Sequence, residues 1–141
     1  MSQSEKIFVN NVGVRLDSVD YKFICDPKGN ANLSIVATDS TNIDECDFEH
    51  IVIRLLRTVK FSPSDFYNIG VTVVLNYSLN EKTKESFETK KELLKYAKEH
   101  VNVLINKTPV CSSISTIISE VTSSFGQVPI ITSAQIIEKK D

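Results

Sequence analysis

The stretch Thr108–Gly126, TPVCSSISTIISEVTSSFG, organises the reading of the whole chain. Thr108 is placed to cap the first free N–H groups of a helix, Pro109 stands where a missing N–H costs nothing, and Gly126 supplies a left-handed stop. Between them Val110, Ile114, Ile117, Ile118, Val121 and Phe125 form one apolar stripe at helical spacing. The opposite face is unusual. It carries Cys111, Ser112, Ser113, Ser115, Thr116, Ser119, Thr122, Ser123 and Ser124, with Glu120 as its one formal charge. Ser, Thr and Ile hold a solvated helix poorly, whereas small uncharged side chains let a second surface approach closely. The pattern predicts a helix over 108–125 covered on both sides. One face lies on its own sheet, and the other packs on a copy of itself through Ser112, Ser115, Thr116, Ser119 and Ser123. The competing reading is an amphipathic helix whose serine face is wet.

Upstream, the periodicity changes from helical to alternating. Val14 and Leu16 share one strand face, and Val19, Tyr21 and Phe23 resume the alternation after a slip at Asp17–Ser18, the mark of a β-bulge. Asp26–Asn30 (DPKGN) is a strong turn signal. A second strand runs through Leu33, Ile35 and Ala37 and loosens into loop at 38–42. Asp47 to Phe61 reads as the best strand, with Ile51, Ile53, Leu55, Val59 and Phe61 on one face and Phe48, Val52 and Leu56 on the other. Ile69, Val71, Val73, Leu75, Tyr77 and Leu79 alternate through a fourth. Residues 80–92 read as a charged, solvated connection, and 92–105 as helical at least to Glu99. Four strands followed by helices predict an α+β fold, a four-stranded antiparallel sheet with a long helix packed on it. Residues 1–11 read as a flexible N-terminal arm and 12–141 as a single domain, in keeping with a chain of 141 residues.

The composition excludes more than it assigns. A formal charge of −2 gives no electrostatic case for nucleic acid or for an anionic membrane, and no apolar run reaches the length of a span. With no secretory h-region at the start and three cysteines in no C-x-x-C pair, the chain is expected in the cytoplasm with reduced, buried thiols. No catalytic constellation can be assembled. Histidine occurs only at His50 and His100, Cys46 and His50 have no second ligand pair, and no phosphate-binding glycine loop or nucleophile elbow is present. The acidic run Asp44, Glu45, Asp47, Glu49 reads as a solvated loop, so no metal, cofactor or enzyme activity is expected. What stands out is apolar surface beyond what one copy can cover, which marks interaction sites.

The order of elements and the C-terminal third resemble the SecB-type protein-export chaperones. The matching residues are Asn102-Val103-Leu104, Pro109, the stripe Ile114–Ile117–Ile118–Val121, and Phe125 to Ile131 (FGQVPII). The end of the first strand, Val19 to Phe23 (VDYKF) followed by Pro27, is also similar. The resemblance spans 12–137 in layout and is strongest over 100–131. It implies a homotetramer, a dimer of dimers with its long helices sandwiched between two eight-stranded sheets. It also implies grooves that hold unfolded or extended polypeptide without nucleotide. Tyr21, Phe23, Phe48, Val52, Val128, Ile130 and Ile131 are the client-contact candidates. Three departures argue against docking to the export motor ATPase: the tail stops at Asp141, the 92–105 helix is strongly charged, and of the expected sheet-surface acids only Asp20 is in place. A chaperone dedicated to one client, such as an antitoxin, is an equal expectation. A non-catalytic structural or regulatory interaction protein on the same fold is the alternative.

Overall fold

The computed structural model describes residues 6–24, 34–62, 66–123 and 129–137. Strands β1 (Val9–Phe23), β2 (Ser34–Cys46), β3 (His50–Ser62) and β4 (Tyr67–Leu79) are followed by α1 (Lys82–Ser86), α2 (Lys90–Glu99), α3 (Val101–Asn106) and α4 (Val110–Ser123). The strands make one antiparallel sheet in the order β1-β4-β3-β2, so the first two strands in sequence occupy opposite edges. The expected α+β class and four-stranded antiparallel sheet are what the structure shows. The turn expected at Asp26–Asn30 and the stop at Gly126 lie outside the described residues.

Cross-strand pairing arranges the inner, helix-bearing face in rows. Val14, Leu75, Ile53 and Ile43 form one row, and Leu16, Val73, Leu55 and Thr41 form the next. Val19, Val71, Arg57 and Asp39 make a third, followed by Tyr21, Ile69, Val59 and Ala37. The β1 bulge between Leu16 and Ser18 is the slip expected from sequence. It keeps Val19, Tyr21 and Phe23 on the inner face; without it, alternation would turn them outward.

Several boundaries differ from the sequence reading. β2 does not loosen at 38–42 but runs to Cys46, because β3 offers a full ladder and Thr38 and Thr58 share a hydroxyl hydrogen bond of 2.7 Å. β3 begins at His50, since Asp47 forms the turn before it: its Oδ1 accepts the N–H groups of Glu49 and His50 at 2.7 and 2.8 Å. The 80–92 connection contains α1. Within the arm expected over 1–11, Ile7 is buried, Phe8 is clamped by α1, and β1 has begun by Val9. The clamp is reciprocal, for Thr83 Oγ1 accepts Phe8 N–H at 2.9 Å and donates to its carbonyl at 3.1 Å.

The helical stretch before α4 is broken in two. Thr89 caps α2 by accepting Glu92 N–H at 3.2 Å, while the Glu92 carboxylate returns to Glu88 N–H, a variant of the capping box. His100 ends α2, with its Nδ1 at 2.8 Å from the Tyr96 carbonyl and its ring stacked on Tyr96. Thr108 opens α4 as expected, accepting Val110 N–H at 3.4 Å. The core lies between the helices and the β3–β4 half of the sheet, where Ile51, Ile53, Leu55, Val71, Leu75, Leu93, Ile114 and Ile118 are fully enclosed.

Candidate functional site

The helix layer does not cover the whole inner face. On β4, Tyr67, Ile69, Val71, Val73 and Leu75 are at most 6% exposed. Their partners on β1, namely Phe23, Tyr21, Val19, Leu16 and Val14, share the same face yet are 38–56% exposed. Five apolar side chains thus continue the core outward as an uncovered ledge. Because β1 is an edge strand, half of its main-chain N–H and C=O groups also point away from the sheet. Tyr21 packs on Tyr67 with ring centroids 5.2 Å apart, and Phe61 links Tyr67 to Phe66 at 4.9 and 4.8 Å. The ledge therefore ends in an aromatic cluster. Ile24, Ile35, Val36 and Phe8 add exposed apolar surface near its two ends and on β2.

The residues proposed from sequence for client contact fall in different places. Tyr21 and Phe23 stand on the ledge. Phe48 is half-buried in the β2–β3 turn at the other end of the sheet, and Val52 is half-buried on the outer face. Ile130 is buried beneath α4, Ile131 is 75% exposed, and Val128 lies outside the described residues. Val14, Leu16 and Val19 were not singled out in sequence. Alternation marks them as one face, but nothing local says that β1 becomes an edge.

The serine face of α4 is divided. Cys111 and Thr122, counted with the polar face in sequence, are buried, and the apolar Ile117 and Val121 are only half-buried. Ser115 is taken by the chain's own tail: its Oγ donates to the Thr132 carbonyl at 2.9 Å and accepts Thr132 N–H at 3.3 Å. The hydroxyls of Ser113, Thr116 and Ser123 turn back to the helix, donating to the carbonyls of Pro109, Ser112 and Glu120. Back-bonding of this kind gives each hydroxyl a partner without water. Ser112, Thr116, Ser119 and Ser123 remain on one strip, with Ser119 half-buried and the others exposed.

A buried ion pair lies on the inner face of the sheet. Arg57 donates from Nε and Nη2 to both carboxylate oxygens of Asp39, each at 2.7 Å, and neither side chain is exposed. Burial works against the Arg57 charge, but the hydrogen bonds and attraction of Asp39 outweigh it and leave the guanidinium more basic than usual. Burial pushes the thiol of nearby Cys111 up, an effect that Arg57 partly opposes. The sequence signal was available: Arg57 interrupts the odd-numbered apolar run of β3, and Asp39 interrupts that of β2.

The outer face is polar by comparison. A hollow of about 450 Å³ there involves Arg15, Asp44 and Arg54, and Arg54 bridges Asp17 at 2.7 Å and Asp44 at 3.0 Å. Among the described residues no group of three or more His, Cys, Asp or Glu could hold a metal, and no helix is long and apolar enough to cross a membrane.

The chain has the fold of a Mycobacterium tuberculosis SecB-like chaperone whose structure was solved in complex with a ChAD peptide from an antitoxin. The two match with a TM-score of 0.63 over 99% of this chain and 96% of that one, at 13% identity. A Streptococcus agalactiae protein of unknown function matches at a TM-score of 0.36 and 11% identity, over 87% of this chain and 98% of that one, too distant to carry an argument. No protein-family model and no curated protein matches the sequence.

Proposed function

We propose that this protein is an ATP-independent chaperone that holds unfolded or extended polypeptide on apolar surface. The observation that carries this reading is the β1 ledge, where Val14, Leu16, Val19, Tyr21 and Phe23 stand half-exposed beside fully buried partners. An extended client meets two complementary features there. Apolar and aromatic side chains accept its hydrophobic residues, and free main-chain groups accept its backbone, the two components of strand addition. Covering such a ledge removes apolar area from water at roughly 25 cal/mol per Å², whichever hydrophobic sequence provides the cover. Binding of that kind needs no nucleotide, metal or cofactor.

Assembly belongs to the same proposal. A homo-oligomer, as a dimer of dimers, would use the strip of Ser112, Thr116, Ser119 and Ser123 for close helix approach and leave the Ile114–Ile118 stripe on its own sheet. The expected location is the cytoplasm. One dedicated client is the second reading, favoured by the antitoxin peptide bound to the structural neighbour. Docking to an export motor is not part of the proposal.

The test is suppression of aggregation of a reduced, unfolded test protein at stoichiometric ratios, with binding of fluorescent unfolded peptides measured in parallel. A chain that neither suppresses aggregation nor binds the peptides is not a holdase. A pull-down from the native host separates the two readings, through a spread of unfolded clients or a single stoichiometric one.

A further inference from the structure

The tail segment 129–137 is neither helix nor strand, and its main chain is bonded by side chains of the body of the fold. Side chains take its main-chain groups one after another. Thr122 Oγ1 accepts Ile130 N–H at 2.8 Å, and Ser115 holds both main-chain groups of Thr132. Arg57 donates to the carbonyls of Ser133 and Gln135 at 2.5 and 3.0 Å. Asn106 Oδ1 accepts Ile136 N–H and Asp39 Oδ2 accepts Ile137 N–H, both at 2.8 Å. Only two side chains of the segment, Ile130 and Ile136, are buried. This is how a cleft binds a non-helical peptide, mostly through backbone contacts that tolerate any sequence. One side-chain contact runs from Arg57 Nη1 to Thr132 Oγ1 at 3.0 Å, and two pockets select aliphatic side chains on either side of a bend at Ala134 and Gln135.

We infer that the cleft formed by α4, α3 and the β2–β3 half of the sheet is a peptide-binding site distinct from the β1 ledge, with the tail as its resident and displaceable occupant. Its ligand class is non-helical polypeptide able to bend between two branched aliphatic residues six positions apart, the spacing of Ile130 and Ile136 on either side of the bend at Ala134 and Gln135. The inference rests on the holdase reading only in taking clients as the incoming chains. Part of the cleft's polar network closes on itself, while Arg57 Nη1, Ser115 Oγ and Asn106 Oδ1 are bonded to the tail and would meet the backbone of a chain that replaces it. Arg57 and Asp39 remain a two-bond pair, and Thr122 still donates to the Ile118 carbonyl at 2.8 Å. The tail, in contrast, has no ladder of its own to hold it in place.

The probe is a fluorescein-labelled peptide with the sequence of residues 127–139, QVPIITSAQIIEK, titrated against the full chain. Wild type is expected to bind it weakly, because the tethered tail competes. The double variant Ile130→Ala/Ile136→Ala is expected to bind it at least 10-fold more tightly, and a peptide with both isoleucines replaced by alanine should not bind. Equal binding by wild type and variant, or binding indifferent to the peptide's isoleucines, overturns the inference. Hydrogen exchange on the unaltered chain gives a second measurement should the variant misfold. The amides of Ile130, Thr132, Ile136 and Ile137 should exchange at least 10-fold faster than those of Leu55 and Val73, and equal rates overturn displacement. If wild type and variant suppress aggregation alike and the peptide never binds, this inference falls and the holdase reading stands. If the variant binds peptide but neither protein suppresses aggregation, the reverse holds.

Discussion

Arg57 and Asp39 face one another across β3 and β2 with both side chains out of contact with water, joined by two hydrogen bonds of 2.7 Å. Removing one partner leaves an uncompensated buried charge, which costs roughly 3–5 kcal/mol. Arg57→Ala and Asp39→Ala should therefore each lower stability by about that amount in urea denaturation. The double variant Arg57→Ala/Asp39→Ala should cost less than the sum of the two single changes, since the second removal no longer strands a buried charge. Strict additivity of the two single changes would show that the pair is not coupled.

Tyr77 is buried, and its hydroxyl has no hydrogen-bond partner among the described residues. Burial first, and the neighbouring Cys111 thiol second, push its phenol pKa up. Tyr77→Phe should raise stability by about 1 kcal/mol, the order of one unsatisfied buried group. The alkaline limb should change too. The folded state resists ionisation, so wild type loses stability as pH rises above the ordinary tyrosine value of 10.0. The variant should lose less over that range. Thermal melts at pH 7 and pH 10.5 check both signs.

Asp47 accepts the N–H groups of His50 and Glu49, and these hydrogen bonds hold its carboxyl below the usual range. A depressed carboxylate stabilises the fold above its unfolded pKa, near 3.9, and that contribution disappears as pH falls through the folded value. The turn is partly open to solvent, so the expected loss in Asp47→Ala is only about 1 kcal/mol at pH 7. The gap between wild type and variant should narrow as pH falls from about 3.9 through the depressed pKa of the folded carboxyl, and close in stronger acid. A difference that persists there would mean the loss is not electrostatic.

The ledge can be separated from the core by comparing two substitutions. Phe23 is 56% exposed, so Phe23→Ser should change stability by no more than about 0.5 kcal/mol. Leu75, on the same inner face but fully buried, should cost roughly 2–5 kcal/mol as Leu75→Ala. If the ledge holds clients, Phe23→Ser combined with Leu16→Asp should abolish aggregation suppression while the fold persists. Full suppression by that double variant would place the client surface elsewhere.

Ser119 tests the proposed helix contact between copies. Ser119→Arg would set like charges near one another in a desolvated interface, repeated in every copy, at a cost of several kcal/mol. Each subunit should keep its fold because the buried stripe of α4 is untouched. Light scattering should show a larger wild-type assembly and a smaller mutant. A wild type that is monomeric at tens of micromolar, or an unchanged mutant, would mean that the serine strip is simply wet.

Local pattern and tertiary environment contributed differently to this fold. The alternation of β3 and β4, the β1 slip and the Thr108-Pro109 start of α4 are written in adjacent residues, because strand and helix periods and capping act within a few positions. For the same reason the sequence by itself determined the four strands, the α4 helix, the α+β class and which residues share a strand face, while it read the stretch that contains α1 as a connection. It misjudged where β2 ends, because Thr38 to Asn42 is polar and only pairing with β3 keeps it extended. It read Ser115 as a contact for another copy and held no sign of the hydrogen bond that Ser115 makes to the tail carbonyl of Thr132, 17 residues on. Strand order was decided by tertiary structure, and with it which apolar strand became the uncovered edge. Val19 and Val71 read alike in sequence, yet one is 38% exposed and the other fully buried. Burial depends on what packs against a residue from distant parts of the chain, and periodicity carries no information about that.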